Sequence, residues 1–363
     1  MPLTSFGAVG GAVVPTKRPT LGSPSQGSLG AREWRVQIAV FALSVVVSLT
    51  GSVLVASRLE RVGERRGLSE ALLGLLAALA ADGPEITASI TAISGGHGTI
   101  GVGVTLGSNV FNLAALLGLS ALIAGRIALH RRSVILEGTL AIFLALLSLA
   151  VVAGVVGPAV GIAIGLVSFL PYVAYSALPP ASRPRVNLPG QWSAWLARAL
   201  AEEESELAVA IRPRRGEPRD AALVVVGVVI VVAASVAMEQ TATSLGTDAG
   251  LPPIVIGGLI LAAVTSLPNA VAAIYLASRG RGAATLSTAF NSNAINVIVG
   301  LLVPAAILGL GSGSEEARFV ALFYLGLTTA AVALALRQRG LDRRSGSIIV
   351  VAYVVFAAVL ATR

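Results

Sequence analysis

Apolar runs of roughly 20 residues, parted by short breaks rich in arginine or glycine, fill the chain from about residue 35 onward. A helix needs about 20 apolar residues to cross about 30 Å of hydrocarbon, so the pattern predicts a series of membrane-spanning helices. Ten fit, near 36–57, 68–94, 99–124, 133–156, 158–179, 221–241, 252–278, 283–309, 317–336 and 346–361. The expected fold class is all-α, a polytopic membrane protein. Residues 1–34 are rich in Ser, Gly, Pro and Thr, lack the apolar core of a signal peptide and read as a disordered tail. The break at 180–220 reads as a cytoplasmic loop. Its Trp192, Trp195, Leu196 and Leu200 suit an amphipathic helix on the membrane surface, and its Glu202, Glu203, Glu204 and Glu206 suit a solvated face. The chain thus divides into a tail (1–34), five spans (35–179), a loop (180–220) and five more spans (221–363).

Composition sharpens the picture. The 363 residues are 55% apolar and 12% charged, against roughly 25% charged in a soluble domain. The absence of cysteine excludes disulfides, thiolate catalysis and thiolate-bound metals, and two histidines, His97 and His130, are too few for a zinc or haem centre. The net charge of +8 does not form a patch for nucleic acid, because the arginines lie between apolar runs. Most of them follow odd-numbered spans: Arg58 to Arg66, Arg126 to Arg132, Arg183 to Arg219, Arg279 and Arg281, and Arg337 to Arg344. Basic loops face the cytoplasm, which predicts both termini outside. Arginine-dominated basic composition, with Lys17 the only lysine, suits a GC-rich bacterial genome and hence the plasma membrane.

The spans also repeat. Residues 84–112 read PEITASITAISGGHGTIGVGVTLGSNVFN, and residues 268–296 read PNAVAAIYLASRGRGAATLSTAFNSNAIN. In this register Pro84 meets Pro268, Glu85 meets Asn269, Ser108 meets Ser292, Asn109 meets Asn293 and Asn112 meets Asn296. Five spans per unit is an odd number, so the second copy enters the membrane from the opposite side. Two inverted five-helix repeats place a transport site near the midplane, where the halves meet.

Acids are scarce at that depth. Asp82 and Glu85 lie inside the second span, while Glu70, Glu137, Glu239 and Asp248 lie nearer ends or loops. An ionised carboxylate at the bilayer centre costs about 2.5–3.5 kcal/mol on insertion scales. With no basic residue inside a span, Glu85 implies a neutralising cation or proton; Asp82 either joins it or faces a water-filled vestibule. Pro84 and Pro268 withhold the amide hydrogens due to Ala80 and Val264, and Gly83 weakens the first copy further. Freed carbonyl oxygens suit hard cations, and broken helices at this depth line cavities. Ser108 and Asn112, four residues apart, share a helix face, and Ser292 and Asn296 repeat them. Asn109 and Asn293 point elsewhere on the wheel and read as packing residues. Gly101, Gly103 and Gly107 read as places of close helix approach.

GPEITAS followed by GVTLGSNVFN resembles the first alpha repeat of the calcium/cation antiporter superfamily, in particular the sodium/calcium exchanger membrane region. TSLPNAVAA followed by NSNAIN resembles a degenerate second repeat. The resemblance covers all ten spans in layout and is specific over about 30 positions in each half. It implies exchange of Ca2+ for Na+ or H+ by alternating access. It also implies a cation site with Glu85 as the metal-binding glutamate, Ser108 and Asn112 as polar ligands, Thr265 and Ser266 as an oxygen-donating pair, and Ser292 and Asn296 as a second polar pair. Three departures matter: Asn269 stands in place of the family's second glutamate, Asn296 fills a position acidic in some members, and Ala81-Asp82 replaces a Thr-Ser pair. If Asp82 joins Glu85, the site reaches a charge of minus two and balances Ca2+; if not, a monovalent ion suits it better. On this reading a glutamate at 269 leaves transport intact or sharpens calcium selectivity.

The expected function is secondary cation antiport, with the lipid bilayer and the transported ions as partners and no other cofactor. No nucleotide motif, nucleophile-base pair or HExxH metal motif points to an enzyme. Two alternatives stand beside it: a Na+/H+ exchanger, and a transport-inactive membrane scaffold or sensor built on the decayed second repeat.

Overall fold

The computed structural model describes residues 30–65, 70–178, 192, 194–201, 217–311 and 314–362. Residues 1–29 of the expected tail and the Glu202, Glu203, Glu204 and Glu206 cluster lie outside the described residues. Among the described residues twelve principal helices carry the fold. In the first half they are α1 (Ala31–Arg65), α2 (Glu70–Ala81), α3 (Gly83–Ser94), α4 (Gly98–Ala124), α5 (Arg131–Val152) and α6 (Pro158–Ala177). In the second they are α7 (Pro218–Asp248), α8 (Pro253–Thr265), α9 (Leu267–Ser278), α10 (Gly282–Leu308), α11 (Glu315–Gln338) and α12 (Arg343–Ala361). A short helix occupies 194–201. The all-α expectation needs one small amendment, since β1 (Arg126–Ala128) pairs antiparallel with β2 (Gly340–Asp342).

Starts and stops follow local chemistry. Prolines open α6, α7 and α8 and sit in the first turn of α3 and α9, where the missing amide hydrogen has no partner to lose. Ser314 caps α11 by accepting the Ala317 amide at 3.1 Å, and Asp342 caps α12 by accepting that of Ser345 at 2.8 Å. α1 begins at Ala31, inside the stretch read as tail, because Glu33 in its first turn accepts the Gly30 amide at 3.0 Å. It also runs past residue 57 to Arg65: a helix can leave the hydrocarbon and continue with polar side chains.

Among the described residues eight helices are long and apolar enough to cross a bilayer, and α8 with α9, bent by 47°, makes a ninth. The expected span at 68–94 is instead two twelve-residue helices, α2 and α3, parted at Asp82. Taken as one crossing, like its repeat counterpart α8–α9, this pair sorts the connections onto two faces. On one face β1, which follows the third span, pairs with β2, which follows the ninth. Gly282, which follows the seventh, packs there too, with no room for a side chain: a first side-chain carbon would stand 1.9 Å from the Ala128 carbonyl oxygen. Ser133 there donates to the Ala199 carbonyl at 3.1 Å, tying helix 194–201 to the start of α5. On the other face Gly98, after the second span, abuts Leu310, after the eighth. Contacts that respect odd and even connections in this way are what inverted repeats require.

α4 and α10 form the centre. In their most apolar stretches 78% and 72% of residues are buried, against 22% in α1 and 28% in α7, whose outer faces of valine and leucine suit lipid. Three segments are widened into π-helix: Leu113–Leu119 in α4, Ile256–Leu261 in α8 and Asn296–Leu302 in α10. Such widening is common at functional sites. Gly103 and Gly107 let α4 lie directly on Gly257 and Gly258 of α8. A first side-chain carbon at 107 would stand 2.5 Å from the Gly258 carbonyl oxygen. Gly107→Ala is therefore expected to destabilise the protein by about 1–3 kcal/mol through overpacking. Gly326→Ala, with open space around it, should be neutral or stabilising by up to about 1 kcal/mol. Thermal unfolding of the purified protein in detergent compares the two, and equal melting temperatures would contradict the packing account.

Candidate cation site

The chain bends at two repeat-equivalent points. Asp82 (φ −78°, ψ −5°) joins α2 to α3, and Ser266 (φ −82°, ψ −3°) joins α8 to α9. The Asp82 amide donates to Ala78 at 2.8 Å and its carbonyl accepts Ile86 at 3.0 Å; the Ser266 amide donates to Ala262 at 3.3 Å and its carbonyl accepts Ala270 at 3.1 Å. Each bond maps onto its counterpart in the repeat register. The prolines sit in the first turns after the bends and leave fewer open carbonyls than expected: that of Val264 accepts an amide at the cap of α8.

Asp82 and Glu85 are 0% and 1% exposed. Glu85 accepts from Ser266 Oγ at 2.5 Å on one oxygen and from Asn296 Nδ2 on the other. Asp82 Oδ1 accepts from Asn269 Nδ2 at 2.6 Å and from Ser292 Oγ at 2.7 Å. Every donor comes from the second half. Among the described residues the ion pairs are Arg58 with Asp220 and Arg219 with Glu217, at helix ends; neither acid of the site is in one.

The frame around the acids is symmetric. Asn109 Nδ2 donates to the Asn293 carbonyl and Asn293 Nδ2 to the Asn109 carbonyl, both at 3.1 Å, across the repeat offset of 184 residues. Asn112 Nδ2 donates to Asn293 Oδ1 at 3.1 Å, and its counterpart Asn296 Nδ2 donates to Asn109 Oδ1 at 3.2 Å. The pseudo-two-fold axis passes between Asn109 and Asn293. These two asparagines, read from the wheel as packing residues, form a reciprocal link between the halves; their repeat equivalence was the signal. Ser89 was also missed, although it lies four residues after Glu85 on the same face of α3. Its hydroxyl donates toward the Gly101 and Gly300 carbonyls and accepts from Thr105.

The other expected residues fall in the same buried region in different roles. Asn112 Nδ2 also reaches Ser292 Oγ at 3.2 Å, and Asn269 Nδ2 reaches it at 3.3 Å. Ser108 is bonded to neither acid; its hydroxyl lies 3.4 Å from the Ala262 carbonyl and 3.5 Å from Thr265 Oγ1. Thr265 turns back to the Leu261 carbonyl at 2.8 Å. Three buried oxygens of the cluster have no hydrogen-bond partner among the described residues: Asp82 Oδ2, Asn112 Oδ1 and Asn296 Oδ1. All three are acceptors, the type that hard cations take. No group of three or more His, Cys, Asp or Glu side chains able to hold a metal occurs among the described residues, so a cation here would lean on two carboxylates and neutral oxygens.

Two inverted helical units crossing at a buried polar cluster, with a helix break in each unit, define a multi-pass membrane protein. The chain belongs to the sodium/calcium exchanger protein family, which matches residues 36–179 and 220–362. Sodium/potassium/calcium exchanger 4 of Mus musculus is 30% identical over 128 residues, 33% of this chain and 21% of that protein. The chain therefore spans about a fifth of that relative's length in the match. The putative antiporter CaxA of Alkalimonas amylolytica is 24% identical over 302 residues, 81% of this chain and 88% of that one. Among solved structures, the H+/Ca2+ exchanger CAX shares the fold with a TM-score of 0.67 at 16% identity, covering 90% of this chain and 86% of that one. The sodium-calcium exchanger NCX_Mj shares it with a TM-score of 0.57 at 18% identity, covering 90% and 99%.

Asn293→Ala removes the bonds to the Asn109 carbonyl and the Asn112 amide, and Asn109→Ala removes those to the Asn293 carbonyl and the Asn296 amide. Each is expected to cost on the order of 1–3 kcal/mol, in nearly equal measure because the two substitutions remove mirror-image pairs of bonds, and the double variant removes all four. Thermal unfolding in detergent measures all three. Clearly unequal losses in the two single variants would rule out the reciprocal link.

Proposed function

We propose that the protein is a secondary antiporter, not an enzyme, that exchanges Ca2+ for Na+ or H+ across the plasma membrane. The observation that carries this reading is the buried Asp82–Glu85 pair at the crossing of the two halves, with no basic partner among the described residues and with three acceptor oxygens of the cluster, one of them Asp82's own, unpaired there. Burying two carboxylates is costly unless cations or protons neutralise them, and a carrier makes that need its cycle. The amides of Asn112 and Asn296 each offer a donor and an acceptor end. With their Nδ2 groups bonded as they are, their free oxygens supply a neutral ligand set; a half-turn of Asn296 would present oxygen, in place of hydrogen, to a cation held by Glu85. Membership of the exchanger family supports the same reading. The arginine-rich face, carrying β1 and β2, is the cytoplasmic side, which puts both termini outside.

Asn269, where a second glutamate is expected of the family, favours a second reading: exchange of monovalent ions alone. Ion flux separates the two. Purified protein in liposomes should accumulate labelled Ca2+ when a sodium or proton gradient is imposed, and Glu85→Gln should reduce that uptake to background. Flux of Na+ that is pH-dependent and indifferent to Ca2+ would select the monovalent reading; undiminished Ca2+ uptake in Glu85→Gln would remove the site assignment.

A further inference from the structure

We infer that the second carboxylate of the cation site has been transposed across the pseudo-two-fold axis, from position 269 to position 82, so that one repeat carries all of the site's negative charge. The inference rests on the cation-antiport reading and names the site as one for divalent ions. Two hydrogen bonds carry it. Asn269 donates to Asp82, and Ser266 donates to Glu85. The repeat register maps 82 onto 266 and 85 onto 269, so these two bonds are images of one another. In each, a first-half acid faces a second-half neutral donor. A symmetric site would place an acid at 85 and its image at 269, with small hydroxyl residues at 82 and 266. Here the hydroxyl remains at 266, the amide at 269 takes the place of an acid, and the missing carboxylate stands at the other end of the Asn269 bond.

The exchange conserves charge in nearly the same place, because the partners at 82 and 269 are 2.6 Å apart. It also leaves an oxygen for the ion: Asp82 Oδ1 takes both donors, Asn269 and Ser292, while Oδ2 is buried and unpaired. With Glu85 the formal charge is minus two, enough to balance a divalent cation. A glutamate introduced at 269 alone would instead press a third carboxylate against Asp82, so the gain in calcium selectivity expected from sequence should not occur.

The test is a charge-exchange cycle in the full-length protein, comparing Asp82→Ser, Asn269→Glu and the double variant. Two readouts are taken: thermal stabilisation by added Ca2+ in detergent, and Ca2+ uptake into liposomes. Asp82→Ser should weaken Ca2+ binding by about 100-fold, roughly the effect of losing one charged ligand. Asn269→Glu should also lose uptake, and the double variant should recover both signals to within about tenfold of the wild type. Recovery in the double variant shows that neither single loss is a folding failure. Wild-type binding in Asp82→Ser, or a double variant that melts like the wild type yet ignores Ca2+, would overturn the transposition. Wild-type protein that binds Ca2+ but moves none would overturn the antiport reading instead, while the same binding titrations still decide on Asp82. Wild-type protein that Ca2+ neither stabilises nor crosses with would overturn both.

Discussion

Two carboxylates buried in a membrane protein are the constraint to which the rest of the structure answers. Asp82 and Glu85 cannot be left bare in a medium of low dielectric constant, and among the described residues no arginine or lysine reaches them. Hydroxyl and amide donors from the opposite repeat do: Ser266 and Asn296 on Glu85, Asn269 and Ser292 on Asp82. The site therefore exists only when the two halves are assembled. Its geometry depends on every feature that fixes their approach, from the glycine contact of α4 on α8 to the reciprocal Asn109–Asn293 link.

The bends at Asp82 and Ser266 serve the same end. A straight helix would carry residues 82 and 85 past the axis. By ending α2 and restarting with Gly83 and Pro84, the chain places one acid at the junction and the next in the first turn of α3, where free amides and the helix dipole favour negative charge. The second repeat keeps this backbone with Ser266 and Asn269 in the same places. Backbone symmetry has persisted while side-chain charge has not.

Much of this was legible in the chain. Hydropathy located the helices because lipid requires long apolar runs, and the paired prolines located both bends because a proline is tolerated in a first turn but not in a helix interior. Less legible was anything decided by contact between distant segments. The β1–β2 pair joins three-residue strands with no alternating pattern to reveal them. A helical wheel drawn for α4 alone turns Asn109 away from the face of Ser108 and Asn112; what lies there is Asn293, and only the repeat register pointed to it. Ser108 shares that face with Asn112 but is bonded to neither acid, because α8 lies closer and takes its hydroxyl. The open carbonyl expected at Val264 assumed a continuous helix, whereas the end of α8 caps itself there.

The neutral donors also bear on how the cluster behaves without an ion. Acids facing one another across the axis would repel unless a cation or proton stood between them. In this chain each acid faces an amide or a hydroxyl, and the two halves stay bonded through Asn269–Asp82 and Ser266–Glu85 with protein groups alone. On the proposed reading, a cation would meet Asp82 Oδ2 and the two asparagine oxygens unpaired, and would displace donors only to take the remaining carboxylate oxygens. Selectivity on that reading is set by two opposed terms: a divalent ion is attracted twice as strongly as a monovalent one to the same two carboxylates, and it gives up a more tightly held water shell to reach them.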